Sequence, residues 1–468
     1  MNLLNLNNDT IVALSTAQGV GAIAVIRLSG EQAIAIVDSL FFARDSNKNL
    51  TKAPSHTVHL GYLKENDQIV DEVLVSIFKN PHSYTGEDVV EISCHGSTFI
   101  QQSIVQLMLD NGAKHADAGE FTMRAFLNGK MDLSQTEAVA DLIDSQSAIT
   151  RDIAIKQMRG GFSSDLKNIR EKLIHFASMI ELELDFSEED VEFADRTELV
   201  NLVSDSIIHI SALADSFKLG NAIKNGINTT IVGRPNAGKS TLLNTLLNEE
   251  RAIVTAIAGT TRDTLEGNLI IEGIEFRFID TAGLRETTDE VEKIGVEKAL
   301  EKVANSTVYL YLFDISKTTV AELAKDLEAL PTHIPRLIIA NKVDLVAETL
   351  VLDFEKSIEA LPFDNTLVFI SAKEKSAIDS LKKELLKSID ADKISANQTI
   401  ITNARHYDAL NKAKEELLHV QNGLEAGLSG DLLSVDIRQA LHHIGSITGQ
   451  ISTDDLLGNI FANFCIGK

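Results

Sequence analysis

Residues 233–240 read Gly-Arg-Pro-Asn-Ala-Gly-Lys-Ser, and no other segment constrains the fold as strongly. The spacing fits a phosphate-binding loop. It follows the β-rich run NTTIVG (228–233) and opens the helical pattern TLLNTLLN, the context that such a loop requires. Its glycines let the backbone wrap so that the segment Asn236, Ala237, Gly238, Lys239, Ser240 and Thr241 turns N–H groups toward phosphate oxygens at a helix N-terminus. There Lys239 lies against the β- and γ-phosphates, and the Ser240 hydroxyl ligates Mg2+.

Four further segments accompany it in the order such a site needs. Asp280, Thr281, Ala282 and Gly283 end the strand-like run EFRFID (275–280). The aspartate can hold Mg2+ through water, and the Gly283 N–H can meet the γ-phosphate. Thr260 and Thr261, in AGTTRDT, lie between the two phosphate segments, and one of them is expected to ligate Mg2+ as a switch residue ordered by the γ-phosphate. Asn341, Lys342 and Asp344 follow RLIIA, and Ser371, Ala372 and Lys373 follow TLVFI. A carboxylate at Asp344 accepts two hydrogen bonds from the guanine N1–H and amine, a pair adenine does not offer, which favours GTP over ATP. Together these segments predict a GTPase domain.

How hydrolysis is promoted is less fixed by the residues. Leu284 follows Gly283, where Ras-like proteins place a water-orienting glutamine, so the group that positions water must come from elsewhere. Glu286, Asp289, Glu290 and Glu292 are the downstream carboxylates. The positive charge has two candidate sources. One is a monovalent cation held by the Asn236 amide oxygen and main-chain carbonyls around Thr255–Thr260; the other is Arg262 or Arg285 acting in cis.

The rest of the chain frames this unit. Residues 1–128 read as mixed α/β, with strand-like runs TIVALST (10–16), AIAVIRLSG (22–30), VDEVLVSIF (70–78) and DVVEISCHG (88–96), and helical patterns at 31–40 and 97–111. From 129 to 222 the period becomes helical, with Leu166, Ile169, Leu173, Phe176 and Ile180 at i, i+3 and i+4 spacing. Residues 223–384 alternate strand and helix, which predicts a mainly parallel sheet covered on both faces. Residues 385–468 are helical again. The expected architecture is multidomain α/β plus all-α: an N-terminal α/β domain, and a discontinuous helical domain that carries an inserted Ras-like P-loop GTPase domain.

Charge and cysteine content narrow the function classes. With 43 basic against 68 acidic residues the net charge is −25, which argues against a chain that grips nucleic acid by its own bulk charge. The most acidic stretch, Glu181–Glu198, is expected to be a solvated helix end or loop, with a docking surface for a basic partner as the other reading. Two cysteines, Cys94 and Cys465, exclude a disulfide scaffold. The opening MNLLNLNNDT has no basic region before an apolar core, and no uncharged apolar run nears 18 residues; a cytoplasmic location is expected.

GRPNAGKSTLLN, IAGTTRD, DTAGLRE and the terminal Cys465-Ile-Gly-Lys468 together resemble the MnmE/TrmE family of tRNA-modification GTPases. The resemblance extends to TIVALST and YTGEDVVEISCHG near the start, and to AFLNGKMDLSQTEAVADLI at the second boundary. It implies potassium ligands at Asn236, Thr255, Ile257 and Thr260, Mg2+ ligands at Ser240 and Thr261, and GTP contacts along Thr255, Ala256, Ile257, Ala258, Gly259, Thr260 and Thr261. It also implies that Glu292 orients the attacking water and that Cys465 is functionally important. Arg27, Glu91, Lys130 and Lys468 match the family's contacts to a formyl-tetrahydrofolate-type donor. The family's partners would be a second copy, paired through the N-terminal domain, and an FAD-dependent MnmG/GidA-type protein. With these, members install an aminomethyl or carboxymethylaminomethyl group at C5 of the wobble uridine of certain tRNAs, contacting tRNA mainly through the partner. A ribosome-assembly GTPase and a GTP-gated scaffold share the nucleotide motifs, but the former usually appends a basic RNA-binding domain, and none is visible here.

Overall fold

The computed structural model describes residues 9–44, 49–185, 196–249, 266–280, 302–359, 366–389, 399–451, 454–462, 464 and 467. They form two compact units: Met1–Asp144 with Ala154–Ser206 and Lys412–Lys468, and Ser145–Ile153 with Ile207–Asn411. No helix among the described residues is long and apolar enough to cross a membrane.

The first unit opens with seven strands, β1 (Ile11–Leu14), β2 (Ile23–Ser29), β3 (Phe41–Ala43), β4 (Thr57–Glu65), β5 (Gln68–Phe78), β6 (Val89–His95) and β7 (Lys114–His115), ordered β3-β4-β5-β6-β2-β1-β7. All pairings are antiparallel except β1 with β7. Strand side chains alternate between faces. On β2, Ala24, Ile26 and Leu28 therefore enter a core shared with Ile104, Leu107 and Met108 of the helix Thr98–Asp110. Val25, Arg27 and Ser29 take the opposite face. Strands β3 and β4 escape the sequence reading: β4 buries only Gly61 and Leu63 along its nine residues, so no apolar run announces it.

The helical part starts at Asp132, whose carboxylate accepts from the Gln135 N–H while Gln135 reaches back, a capping box that fixes the start of the helix Leu133–Ile143. The 25-residue helix Gly161–Asp185 buries Leu166, Ile169, Leu173, Phe176 and Ile180, the expected stripe, and packs against Gly430–Thr448. Within the acidic stretch, residues 186–195 lie outside the described residues. The chain's last helix, Asp454–Phe461, buries Leu457 and Phe461, joined by Phe464, against Met123 and Leu133. This packing brings Gly467 onto β1, where Ser15 Oγ donates to the Gly467 carbonyl at 3.0 Å.

The second unit holds six strands, β8 (Ile227–Gly233), β9 (Glu266–Ile271), β10 (Ile274–Asp280), β11 (Val308–Asp314), β12 (Arg336–Asn341) and β13 (Thr366–Phe369), ordered β13-β12-β11-β8-β10-β9. Every pairing is parallel but one: β9 joins β10 as an antiparallel hairpin edge. Every residue of β11 is buried. Val308, Leu310 and Leu312 enter one core and Tyr309, Tyr311 and Phe313 the other, so the sheet is covered on both faces. The unit, Ser145–Ile153 with Ile207–Asn411, extends beyond the changes of period at 222 and 384. Ala222 and Ile223 of the helix Phe217–Asn225 join the sheet's core, and Gly220 abuts the Ile401 carbonyl so closely that a Cβ there would lie 2.0 Å from it.

Candidate functional site

Parallel strands gather their carboxyl ends on one edge, the place where open α/β sheets bind ligands. Here that edge collects Gly233, Asp280, Asp314 and Asn341; Leu312 is in register with Gly233, Asp280 with Ile231, and Asp314 with Asn341. The phosphate loop leaves β8 at Gly233 and enters the helix Lys239–Glu249. Gly233 has φ +146, and a Cβ there would sit 1.9 Å from the Leu312 carbonyl, so only glycine passes the neighbouring strand. Gly238, at φ +102, brings the loop against Asn341, whose Nδ2 would lie 2.4 Å from an added Cβ. Lys239 Nζ donates to the Gly233 and Arg234 carbonyls at 2.8 and 3.0 Å, which holds its ammonium inside the loop's curve.

The base-recognition segments are tied to this loop. Asn341, 2% exposed, donates from Nδ2 to the Ala237 carbonyl at 2.8 Å and accepts the Ala372 N–H on Oδ1 at 3.0 Å, so one amide links three of the expected motifs. Lys342 Nζ donates to the Asn236 carbonyl at 2.9 Å and to Asp314 Oδ2 at 2.7 Å. Asp344 is exposed, with Oδ1 held by Ser371 Oγ at 2.6 Å; the same hydroxyl accepts the Glu374 N–H. Thr245 Oγ1 donates to the Ala372 carbonyl at 2.8 Å, anchoring that turn to the helix after the loop, while Lys373 points into solvent.

Two supports are absent from the sequence reading. Burial pushes the Asp314 carboxyl up, but bonds from Lys342 and from the Ser316 hydroxyl and N–H outweigh it and hold the group below its ordinary range. Arg234 pairs with Asp326 at 2.6 Å and with Glu322 at 3.4 Å, and Tyr311 donates its phenol to the same Asp326. Burial, then the hydrogen bond to Asp326 and its charge, raises the Tyr311 phenol well above its usual range. The strand-terminal aspartate of TVYLYLFD, beside an Asn-Lys strand end, is the one signal that could have found Asp314.

Strand β10 ends at Asp280, beside β8. Thr255, Ala256, Ile257, Ala258, Gly259, Thr260, Thr261, Thr281, Ala282, Gly283 and Glu292 lie outside the described residues, as do Arg262, Arg285, Glu286, Asp289 and Glu290.

In the first unit Arg27 and Glu91 are cross-strand partners, with Arg27 Nε and Nη2 donating to Glu91 Oε1 at 2.9 and 2.8 Å. The guanidinium also lies 5.3 Å from the Tyr84 ring centre and 5.7 Å from that of Phe121. The result is a partly buried charged pair flanked by aromatic surface. In the same unit Arg124, 3% exposed, bonds Glu120, Glu87 and the Asp9 carbonyl. Lys130 is exposed and donates to the Pro81 carbonyl at 2.9 Å, not to the Arg27 pair. Burial, then the nearby Asp71 charge, pushes the Cys94 thiol up to about 11 and keeps it protonated. Cys465 and Lys468 lie outside the described residues.

Two family models match, GTP-binding protein TrmE N-terminus over residues 10–130 and MnmE helical domain over 133–465. The chain is 56% identical over 468 residues to the tRNA modification GTPase MnmE of Flavobacterium johnsoniae, covering 99% of this chain and 100% of the relative. Identity to the MnmE of Cytophaga hutchinsonii is 54% over 463 residues, covering 99% and 98%. To that of Bacteroides fragilis it is 49% over 468 residues, covering 99% and 100%. Among solved structures, Aquifex aeolicus Era bound to GDP.AlF4- is 26% identical over 41% of this chain and 67% of that one, with a TM-score of 0.29. Matched by both models along nearly its whole length, the chain belongs to the MnmE/TrmE family.

Proposed function

We propose that the chain is a GTP hydrolase acting in tRNA modification. The carrying observation is a guanine-nucleotide site whose phosphate loop and base-recognition motifs are joined by Asn341, in a chain 56% identical to a tRNA modification GTPase along its length. In the site, Lys239 and the loop N–H groups bind phosphate, Ser240 ligates Mg2+, and Asp344 selects guanine. Asn341 sets loop and base segments at a fixed separation, so that binding the base orients the phosphates.

The finer reading is that hydrolysis is stimulated by K+, supplied with ligands by Asn236, Thr255, Ile257 and Thr260, with Mg2+ on Ser240 and Thr261 and Glu292 orienting water. The product is an aminomethyl or carboxymethylaminomethyl group at C5 of a wobble uridine. A formyl-tetrahydrofolate-type donor is bound by Arg27, Glu91, Lys130 and Lys468. The Arg27–Glu91 pair between Tyr84 and Phe121 supports this, because it offers charge and aromatic surface to a flat heterocycle with carboxylates. The chain works in the cytoplasm as a homodimer with an FAD-dependent MnmG/GidA-type protein, and the −25 charge supports tRNA contact mainly through that partner.

GTP turnover in matched K+ and Na+ buffers tests the cation. The rate should fall strongly in Na+, and Asn236→Ala should abolish the difference. Equal wild-type rates in the two salts would leave Arg262 or Arg285 as the source of positive charge.

A further inference from the structure

A cavity of about 280 Å3 opens in the helical part of the first unit, apart from every residue assigned above to nucleotide or folate. It lies between the first three turns of the helix Gly161–Asp185 and the end of Gly430–Thr448, and Arg170, Lys167, Ser164, Thr448 and Gln450 are among the residues that line it. Arg170 makes no hydrogen bond or ion pair among the described residues, and its Nε is buried without a partner. A buried arginine donor is costly when unpaired, and the guanidinium has no neutral form to retreat to. The guanidinium packs against the helix Gly430–Thr448, where a Cβ built on Gly445 would lie 3.7 Å from Arg170 Nε, an ordinary van der Waals contact.

The surroundings select the sign of a ligand. Lys167 adds a second cation, exposed and 3.8 Å from Glu171, and the helix that begins at Gly161 presents its positive end. The one acid in the lining, Asp132, is already engaged, accepting from the Gln135 N–H at 2.9 Å and from Ser134 Oγ at 2.8 Å. Two cations, three hydroxyls and two amides around a cavity of this size match a tetrahedral oxyanion, which accepts on every oxygen.

We propose that this cavity is a phosphate-binding site, with Arg170 as its principal ligand. Free orthophosphate and a phosphate of the tRNA backbone share that chemistry.

Titration calorimetry of orthophosphate into the full-length protein tests it, with the nucleotide site filled beforehand by a non-hydrolysable GTP analogue and Mg2+. The expected result is binding by wild type and a loss of about tenfold or more in Arg170→Gln, as for a charge-assisted bond. Lys167→Gln changes an exposed side chain and should fold normally while binding severalfold more weakly. Absence of phosphate binding by the wild type, or equal binding by all three chains, overturns the proposal. Anisotropy with labelled tRNA separates the two sources. If the occupant is a backbone phosphate, Arg170→Gln weakens tRNA binding and orthophosphate competes; if it is free phosphate, tRNA binding is unmoved while the calorimetric loss persists. The phosphate titration needs no tRNA chemistry, so its failure is separate from failure of the proposed function.

Discussion

Replacing Asp314 by asparagine should loosen the nucleotide site although Asp314 itself belongs to none of the segments expected to meet GTP. The Asp314 carboxylate is 8% exposed and the Lys342 side chain 29%, at 2.7 Å, and the same ammonium holds the Asn236 carbonyl of the phosphate loop. A hydrogen bond to a charged group contributes about 1.5–3 kcal/mol, and the lower figure applies because water can reach Lys342 once its partner is neutral. The expected loss is about 1.5 kcal/mol in the urea-unfolding transition that GDP shifts. A double-mutant cycle with Lys342→Met isolates the pair and should give a coupling of about 1 kcal/mol, well outside the ~0.3–0.5 kcal/mol within which independent sites add. The pH dependence has a definite sign. The folded Asp314 carboxyl titrates below its ordinary range, so its stabilisation is present above the unfolded pKa of about 3.9 and fades as the pH falls through the lower folded value. Asp314→Asn should therefore flatten the acid limb of the stability curve below about pH 4. Additive single mutants, or an unchanged acid limb, would refute the idea that this ion pair couples the base segment to the loop.

Asn341→Ala strips partners from the Ala237 carbonyl and the Ala372 N–H together, and two such losses at about 1–3 kcal/mol each should abolish measurable GTP and GDP binding in a filter assay. Retained nanomolar or micromolar binding would mean that the amide is not the link. Gly467 has φ +96, and a Cβ there would meet the Leu14 carbonyl at 2.1 Å, so Gly467→Ala should release the terminal segment from β1. Carboxypeptidase should then trim the variant faster than wild type; equal trimming would show that the contact holds nothing in place.

Where burial and period agree, the sequence is readable. The parallel strands of the second unit appear as apolar runs because both their faces are covered, and the helix Gly161–Asp185 appears through its buried stripe. The phosphate loop and base segments are legible because each needs particular residue types at fixed spacing. Strand β9 is harder, since EGNLII alternates only weakly and its antiparallel pairing follows from the tight Glu272-Gly273 turn, both residues at positive φ. Asp314 and Asp326 act on the site from strands and helices distant in sequence. Only the fold brings Asp314 beside Asn341 and Asp326 onto Arg234. The second unit extends beyond the changes of period at 222 and 384, where Gly220 packs closely on Ile401 and Ala222 joins the core, contacts that periodicity does not reveal. Arg27 is visible as a motif residue, but the Tyr84 and Phe121 rings flanking it come from segments far along the chain.

The most direct measurement of the central claim is mass spectrometry of tRNA nucleosides from cells lacking this gene and from cells complemented with it. A C5-aminomethyl-type wobble uridine should disappear in the deletion strain and return with the wild-type chain but not with Asp280→Ala, which removes the aspartate of the Asp280–Gly283 segment. An identical nucleoside profile with and without the gene would contradict a role in tRNA modification, however complete the nucleotide site.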